Sequence, residues 1–153
     1  MRRVDQWLSE YGESHRHPIN KRLHWICVPV IVWCVIALLW SVPTIGRWHE
    51  ILNCGVLAAA AALAYYALLS VPLALGAMPI LLAMIASLPL IEHSRFAPVW
   101  HAGAALFVLA WIGQFIGHQI EGKRPSFFKD IQFLLIGPLW LLADLYRRLG
   151  IRY

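Results

Sequence analysis

"SHRHPINKRLHWICVPVIVWCVIALLWSV", residues 14–42, decides the fold. Its first part is polar: His15, His17 and His24 stand among Arg16, Asn20, Lys21 and Arg22. From Trp25 to Val42 there is no charged residue. That run is close to the roughly 20 apolar residues a helix needs to cross a bilayer core. Lipid offers backbone groups no hydrogen-bond partners, so such a run is expected to be helical. The quoted stretch therefore reads as a polar collar followed by a first membrane span.

Working outward, similar runs cover Ile51–Ser70, Val71–Ile91 and Val99–Ile120. A fifth, Ile131–Tyr146, is shorter and contains Gly137, Pro138 and Asp144, which predicts a bend and a helix that lies in the interface or re-enters. The chain of 153 residues is 60% hydrophobic and 14% charged. A soluble domain carries about a quarter charged residues. The expected fold is therefore all-α: one integral membrane domain over residues 1–153, with four transmembrane helices, an N-terminal interfacial helix and a C-terminal interfacial or re-entrant helix.

Basic residues orient the bundle. Arg2, Arg3, Arg16, Lys21 and Arg22 precede the first span; Lys123, Arg124 and Lys129 follow the fourth; Arg147, Arg148 and Arg152 close the chain. Only Arg47 and Arg95 fall in the loops after spans one and three. Four spans with both termini cytoplasmic satisfy the positive-inside rule. The expected location is a bacterial inner membrane, or the endoplasmic reticulum in a eukaryotic cell. No cleavable leader is expected, because the first apolar run starts near residue 25 and is long enough to stay in the bilayer. Cys27, Cys34 and Cys54 form no CxxC pair and read as small apolar residues.

Near the N-terminus, Val4, Trp7, Leu8 and Tyr11 recur at helical spacing and predict a short amphipathic helix over 3–12. It rests on the leaflet or packs on the end of the bundle. The alanine-rich tract at 58–64 either lets helices approach closely or leaves room for a ligand tail. No transporter-type repeat is present.

Under this topology His24 opens span one and His118 closes span four, so both lie at the cytoplasmic boundary. Asn20 and His24 share a helical face, as do Gln114, His118 and Glu121. His15 precedes Pro18 in irregular chain, free to fold back toward them. Imidazoles ligate zinc, iron, copper or nickel, with the second ring nitrogen usually held by another group. Asn20, Gln114 and Glu121 could hold it. The plainer reading is histidines that face water or headgroups. His17 reads as a solvated neighbour, and His49, His93 and His101 fall at the opposite end. Asp144 reads as a local helix partner of Arg147 and Arg148.

Two blocks carry a family resemblance. His15, Pro18, Asn20, His24 and Pro29 form one; Trp111, Ile112, Gln114, Phe115, Gly117 and His118, followed by an acidic residue, basic residues and Pro125, form the other. Together they resemble the family of the fungal 2-hydroxy fatty acid dioxygenase. The resemblance implies an iron(II)-dependent α-oxidation in which dioxygen shortens a 2-hydroxy fatty acid by one carbon. It further implies His15, His24 and His118 as the Fe(2+) ligands, with Asn20 and Glu121 as further motif positions. Lys21, Arg22, Lys123 and Arg124 stand where they could hold the substrate carboxylate.

A competing reading is a non-enzymatic membrane adaptor or lipid-binding protein whose basic cytoplasmic face meets anionic lipid. That reading leaves the polar groups of spans one and four unexplained. A di-metal hydroxylase is disfavoured because no HxxHH box is present. Expected partners are the 2-hydroxy acid, dioxygen and membrane lipid, with room for a homo-oligomer and no call for nucleic acid.

Overall fold

The computed structural model describes residues 3–43, 52–94, 97–126 and 132–153. The expectations for Arg47, His49, Arg95 and Lys129 fall outside them. The described residues form six helices: α1 (Val4–Gly12), α2 (Pro18–Trp40), α3 (Cys54–Leu69), α4 (Val71–Ser94), α5 (Val99–Glu121) and α6 (Phe133–Leu149). No strand occurs among them. Helices α2, α4 and α5 have the length and apolar composition to cross a membrane. This is a membrane protein of the all-α class.

The second apolar run yields a shorter helix than expected. The Asn53 side chain accepts a hydrogen bond from the Val56 amide at 3.0 Å and caps α3 there. Sixteen residues remain, about 24 Å at 1.5 Å per residue, against about 30 Å of hydrocarbon. Ser70 alone separates α3 from α4, and its carbonyl accepts the Ala74 amide at 3.0 Å.

Helices α2 and α5 form the most intimate pair. They run antiparallel, with small residues at the seam. A Cβ on Gly113 would meet the Cys27 sulfur at 2.7 Å, and one on Gly117 would collide with the Asn20 side-chain oxygen. Small residues give membrane helices the close approach that packing requires. At the other end of the pair, Ile36, Ala37, Trp40, Leu88 and Val99 build an apolar cluster.

Helix α1 turns Trp7, Leu8 and Tyr11 inward. That face is covered by α6, where Trp7 and Tyr11 meet Phe133, and Tyr11 meets Trp140. Packing on the bundle, not lipid, therefore takes up its apolar side. Helix α6 continues unbroken through Pro138. Proline removes the donor that the Leu134 carbonyl would otherwise accept; one residue on, the Leu135 carbonyl accepts the Tyr66 hydroxyl at 2.9 Å and ties α6 to α3. The Tyr146 hydroxyl reaches the Pro72 carbonyl at 3.2 Å, so α6 is tied to α3 and α4 as well. Asp144 pairs with Arg148 at 2.8 Å within α6.

Candidate metal centre

The turn after α1 brings His15 back against the start of α2. His24 sits two turns into α2, and His118 lies in the last turn of α5. All three are buried, at 1%, 1% and 5% exposure. Their ring centroids are 4.1 Å apart for His15 and His24, 5.0 Å for His15 and His118, and 5.1 Å for His24 and His118. One nitrogen from each ring can be chosen so that all lie within 4.8 Å of one another. Imidazole nitrogens bound at about 2.1 Å to one tetrahedral ion stand about 3.4 Å apart; the facing nitrogens of His15 and His24 are already closer than that, at 2.7 Å, and a shared cation needs the rings to turn.

Hydrogen bonding fixes which nitrogens are available. His15 Nδ1 donates to the Tyr11 carbonyl at 2.6 Å, and His24 Nδ1 donates to the Asn20 carbonyl at 3.1 Å. A carbonyl only accepts, so both Nδ1 atoms carry the proton. Both Nε2 atoms then present lone pairs, and they face each other at 2.7 Å. Two facing lone pairs repel unless a cation lies beside them. His118 Nδ1 is buried with no hydrogen-bond partner. Two unprotonated imidazole nitrogens with a third imidazole beside them are the donor set of a transition-metal site, with backbone carbonyls orienting two of the rings from behind. Burial lowers the pKa of His15 to about 4, which keeps its ring neutral at physiological pH.

Tyr11 belongs to this site, although its sequence signal was only that of an apolar helix face. Its ring stacks on His15 at 4.1 Å and 14°, while its carbonyl orients the same imidazole. The four-residue spacing of Tyr11 and His15 is the clue that sequence carried. Trp140 of α6 closes the other side at 5.4 Å from His15.

Glu121 stands beside the histidines, turned to a different task. Its carboxylate accepts the Arg16 amide at 2.9 Å, the His17 amide at 2.7 Å and the Asn20 side-chain amide at 3.3 Å. A negative charge at the first turn of α2 also meets the positive end of the helix dipole. Glu121 thus fastens the His15 loop to the end of α5. Asn20 is fully buried and donates to the Ser14 carbonyl at 3.1 Å, while its own side-chain oxygen has no hydrogen-bond partner. His17 caps α2, accepting the Ile19 amide at 3.2 Å.

Lys21, Arg22, Lys123 and Arg124 are exposed around this end. Lys123 donates to the Glu13 carbonyl at 2.8 Å. Elsewhere, His93 bonds the Pro89 carbonyl at 2.6 Å and His101 rests on Trp100 at 3.8 Å; neither joins the cluster.

One cavity adjoins the centre and a second lies beyond it. The smaller, about 60 Å³, has His118, Gln114, Tyr11 and Ser126 at its polar wall. The larger, about 130 Å³, is almost wholly apolar and lies among α2, α3, α4 and α6. The alanine tract contributes to neither wall.

Comparison with known proteins agrees with this chemistry. The chain is 30% identical over 145 residues to the 2-hydroxy-palmitic acid dioxygenase MPO1 of Saccharomyces cerevisiae, covering 94% of this chain and 79% of the yeast protein. No solved structure matches it significantly. A family model described as 2-hydroxy-palmitic acid dioxygenase Mpo1-like matches residues 1–149. With nearly its whole length matched, histidine cluster included, the chain belongs to the Mpo1-like family.

Proposed function

We propose that this protein is an iron(II)-dependent dioxygenase that carries out α-oxidation of 2-hydroxy fatty acids, shortening them by one carbon. The observation that carries the reading is the trio of buried imidazoles His15, His24 and His118 at the end of two apolar helices. The yeast relative's name supplies the substrate class. Bound iron would supply dioxygen activation and chelation of the C1 and C2 oxygens. A 2-hydroxy acid and one dioxygen balance as the shortened acid, carbon dioxide and water, so the reaction needs no external reductant.

The residues around the metal position the reactants. His15 and His24 are oriented by the carbonyls of Tyr11 and Asn20. Glu121 holds the loop that carries His15. Lys21, Arg22, Lys123 and Arg124 attract the substrate carboxylate to this end of the bundle. Tyr11 and Trp140 wall the cluster from water. In this reading α3 completes four spans, both termini face the cytoplasm and membrane lipid delivers the substrate.

Oxygen uptake by detergent-purified protein tests the proposal. Iron(II)-loaded protein is expected to consume dioxygen with 2-hydroxypalmitic acid and release the acid one carbon shorter. Chelation should abolish the reaction and iron(II) should restore it. Turnover unaffected by chelation, or no product from iron-loaded protein, would overturn it.

A further inference from the structure

The head of a 2-hydroxy acid can reach three buried histidines only if the first carbons of its tail also enter the protein. The smaller cavity offers that entry, because His118 forms part of its wall. Its polar side faces the cluster, and Ile31, Phe133 and Leu134 make the rest apolar. Val28 and Val32 line this cavity and the larger one alike. They stand four residues apart on one face of α2. Opposite them, α6 presents Gly137, where a Cβ would meet the Tyr11 hydroxyl at 2.9 Å and lie 3.8 Å from Val28 Cγ1. The two cavities are thus neighbours across a seam of Val28 and Val32, with the Tyr11 ring on Gly137 beside it.

Volume assigns each cavity a share of the tail. The smaller, at about 60 Å³, has room for a short segment only; the larger, at about 130 Å³, has about twice that. A short acyl chain fits the first; a palmitoyl-length tail needs both. Resting on the function proposed above, we propose that the acyl tail runs from the histidine cluster through the small cavity, past Val28 and Val32, into the chamber between α2, α4 and α6. The seam and the chamber beyond it set chain-length preference. Apolar walls without charge or hydrogen-bonding need suit a saturated tail, and the polar mouth at Tyr11, Gln114 and Ser126 fixes which end leads.

Two measurements test this path. Ala77 lines the larger cavity from α4, far from the histidines in sequence. Ala77→Leu, which fills the chamber, should lower the turnover ratio of 2-hydroxypalmitic to 2-hydroxyoctanoic acid about tenfold, the scale that methylene-sized changes in apolar pockets support. Val28→Phe, which closes the seam, should act in the same direction. An unchanged ratio in both variants overturns the path. The second measurement needs no turnover. A 2-hydroxypalmitic acid carrying a terminal diazirine should photolabel Leu81 or Met84 in the wild-type chain, whereas the 2-hydroxyoctanoic analogue should label Trp111 or Phe133. Identical labelling by both probes, or labelling confined to outward-facing positions such as Leu68 and Leu90, overturns it. Absence of turnover with either acid, alongside the expected labelling, would sink the proposed reaction and leave the tail path standing.

Discussion

The two ends of the α2–α5 pair are packed by different rules. At one end Ser14, His15, Asn20, His24, Gln114 and His118 are buried together. At the other, Ile36, Ala37, Trp40, Leu88 and Val99 form an apolar cluster. A polar contact there joins α2 to α4: Trp40 Nε1 donates to Glu92 at 3.1 Å. Buried polar groups cost free energy unless paired, and the histidine end retains unpartnered polar atoms on Asn20 and His118. Packing alone would favour the apolar solution at both ends. The polar end departs from it where a ligand or metal can supply the missing partners.

The sharpest way to break that contrast is to remove an imidazole. His24→Ala deletes one of three ligands and leaves the apolar end untouched. Metal content measured on the purified variant should fall to background, and activity should drop roughly 100-fold or more, while helicity by circular dichroism is retained. Full metal content in the variant would show that the cluster is not the site.

A smaller effect comes from glycine. A Cβ at Gly117 collides with Asn20, whereas one at Gly103 meets Ala37 Cβ at 3.4 Å, an ordinary contact. Gly117→Ala should cost about 1–3 kcal/mol through overpacking and reduce metal binding. Gly103→Ala should be neutral or gain about 0.5–1 kcal/mol from lost chain entropy. Thermal unfolding of both in one detergent compares them; equal shifts would deny that the histidine end is the tighter one.

The smallest expected change distinguishes two carboxylates. Glu121→Gln turns an amide group toward the Arg16 or His17 N–H, where an acceptor is required. Metal affinity should weaken about tenfold, as when a group orienting a ligand is lost. Glu92→Gln keeps an acceptor for Trp40 and should leave affinity at the wild-type value. Competition with a chromogenic chelator reads both, and a loss of equal size at Glu92 would remove the special role of the Glu121 clamp.

Much of the helical layout was legible because it is local. Pro18 at the first turn of α2, the apolar runs and the shared ends of His24 and His118 all follow from chain-neighbour chemistry. Where expectation and structure part, a specific contact is responsible. Asn53 shortens α3 by capping it. Helix α6 runs unbroken through Pro138 and is tied to α3 where the Tyr66 hydroxyl bonds the Leu135 carbonyl. Neither partner announces itself in a periodicity, since Tyr66 and Leu135 are far apart along the chain.

By itself the sequence determined an all-α membrane protein with imidazoles on two antiparallel apolar helices, because hydrophobic run length and helical spacing are properties of neighbouring residues. Only tertiary structure decided that His15 folds back to His24, that the Tyr11 carbonyl and ring hold it there, and that Glu121 clamps the loop. Those choices join residues up to 105 positions apart. They depend on how helices seat against one another, and close packing through Gly113 and Gly117 brings the groups within reach.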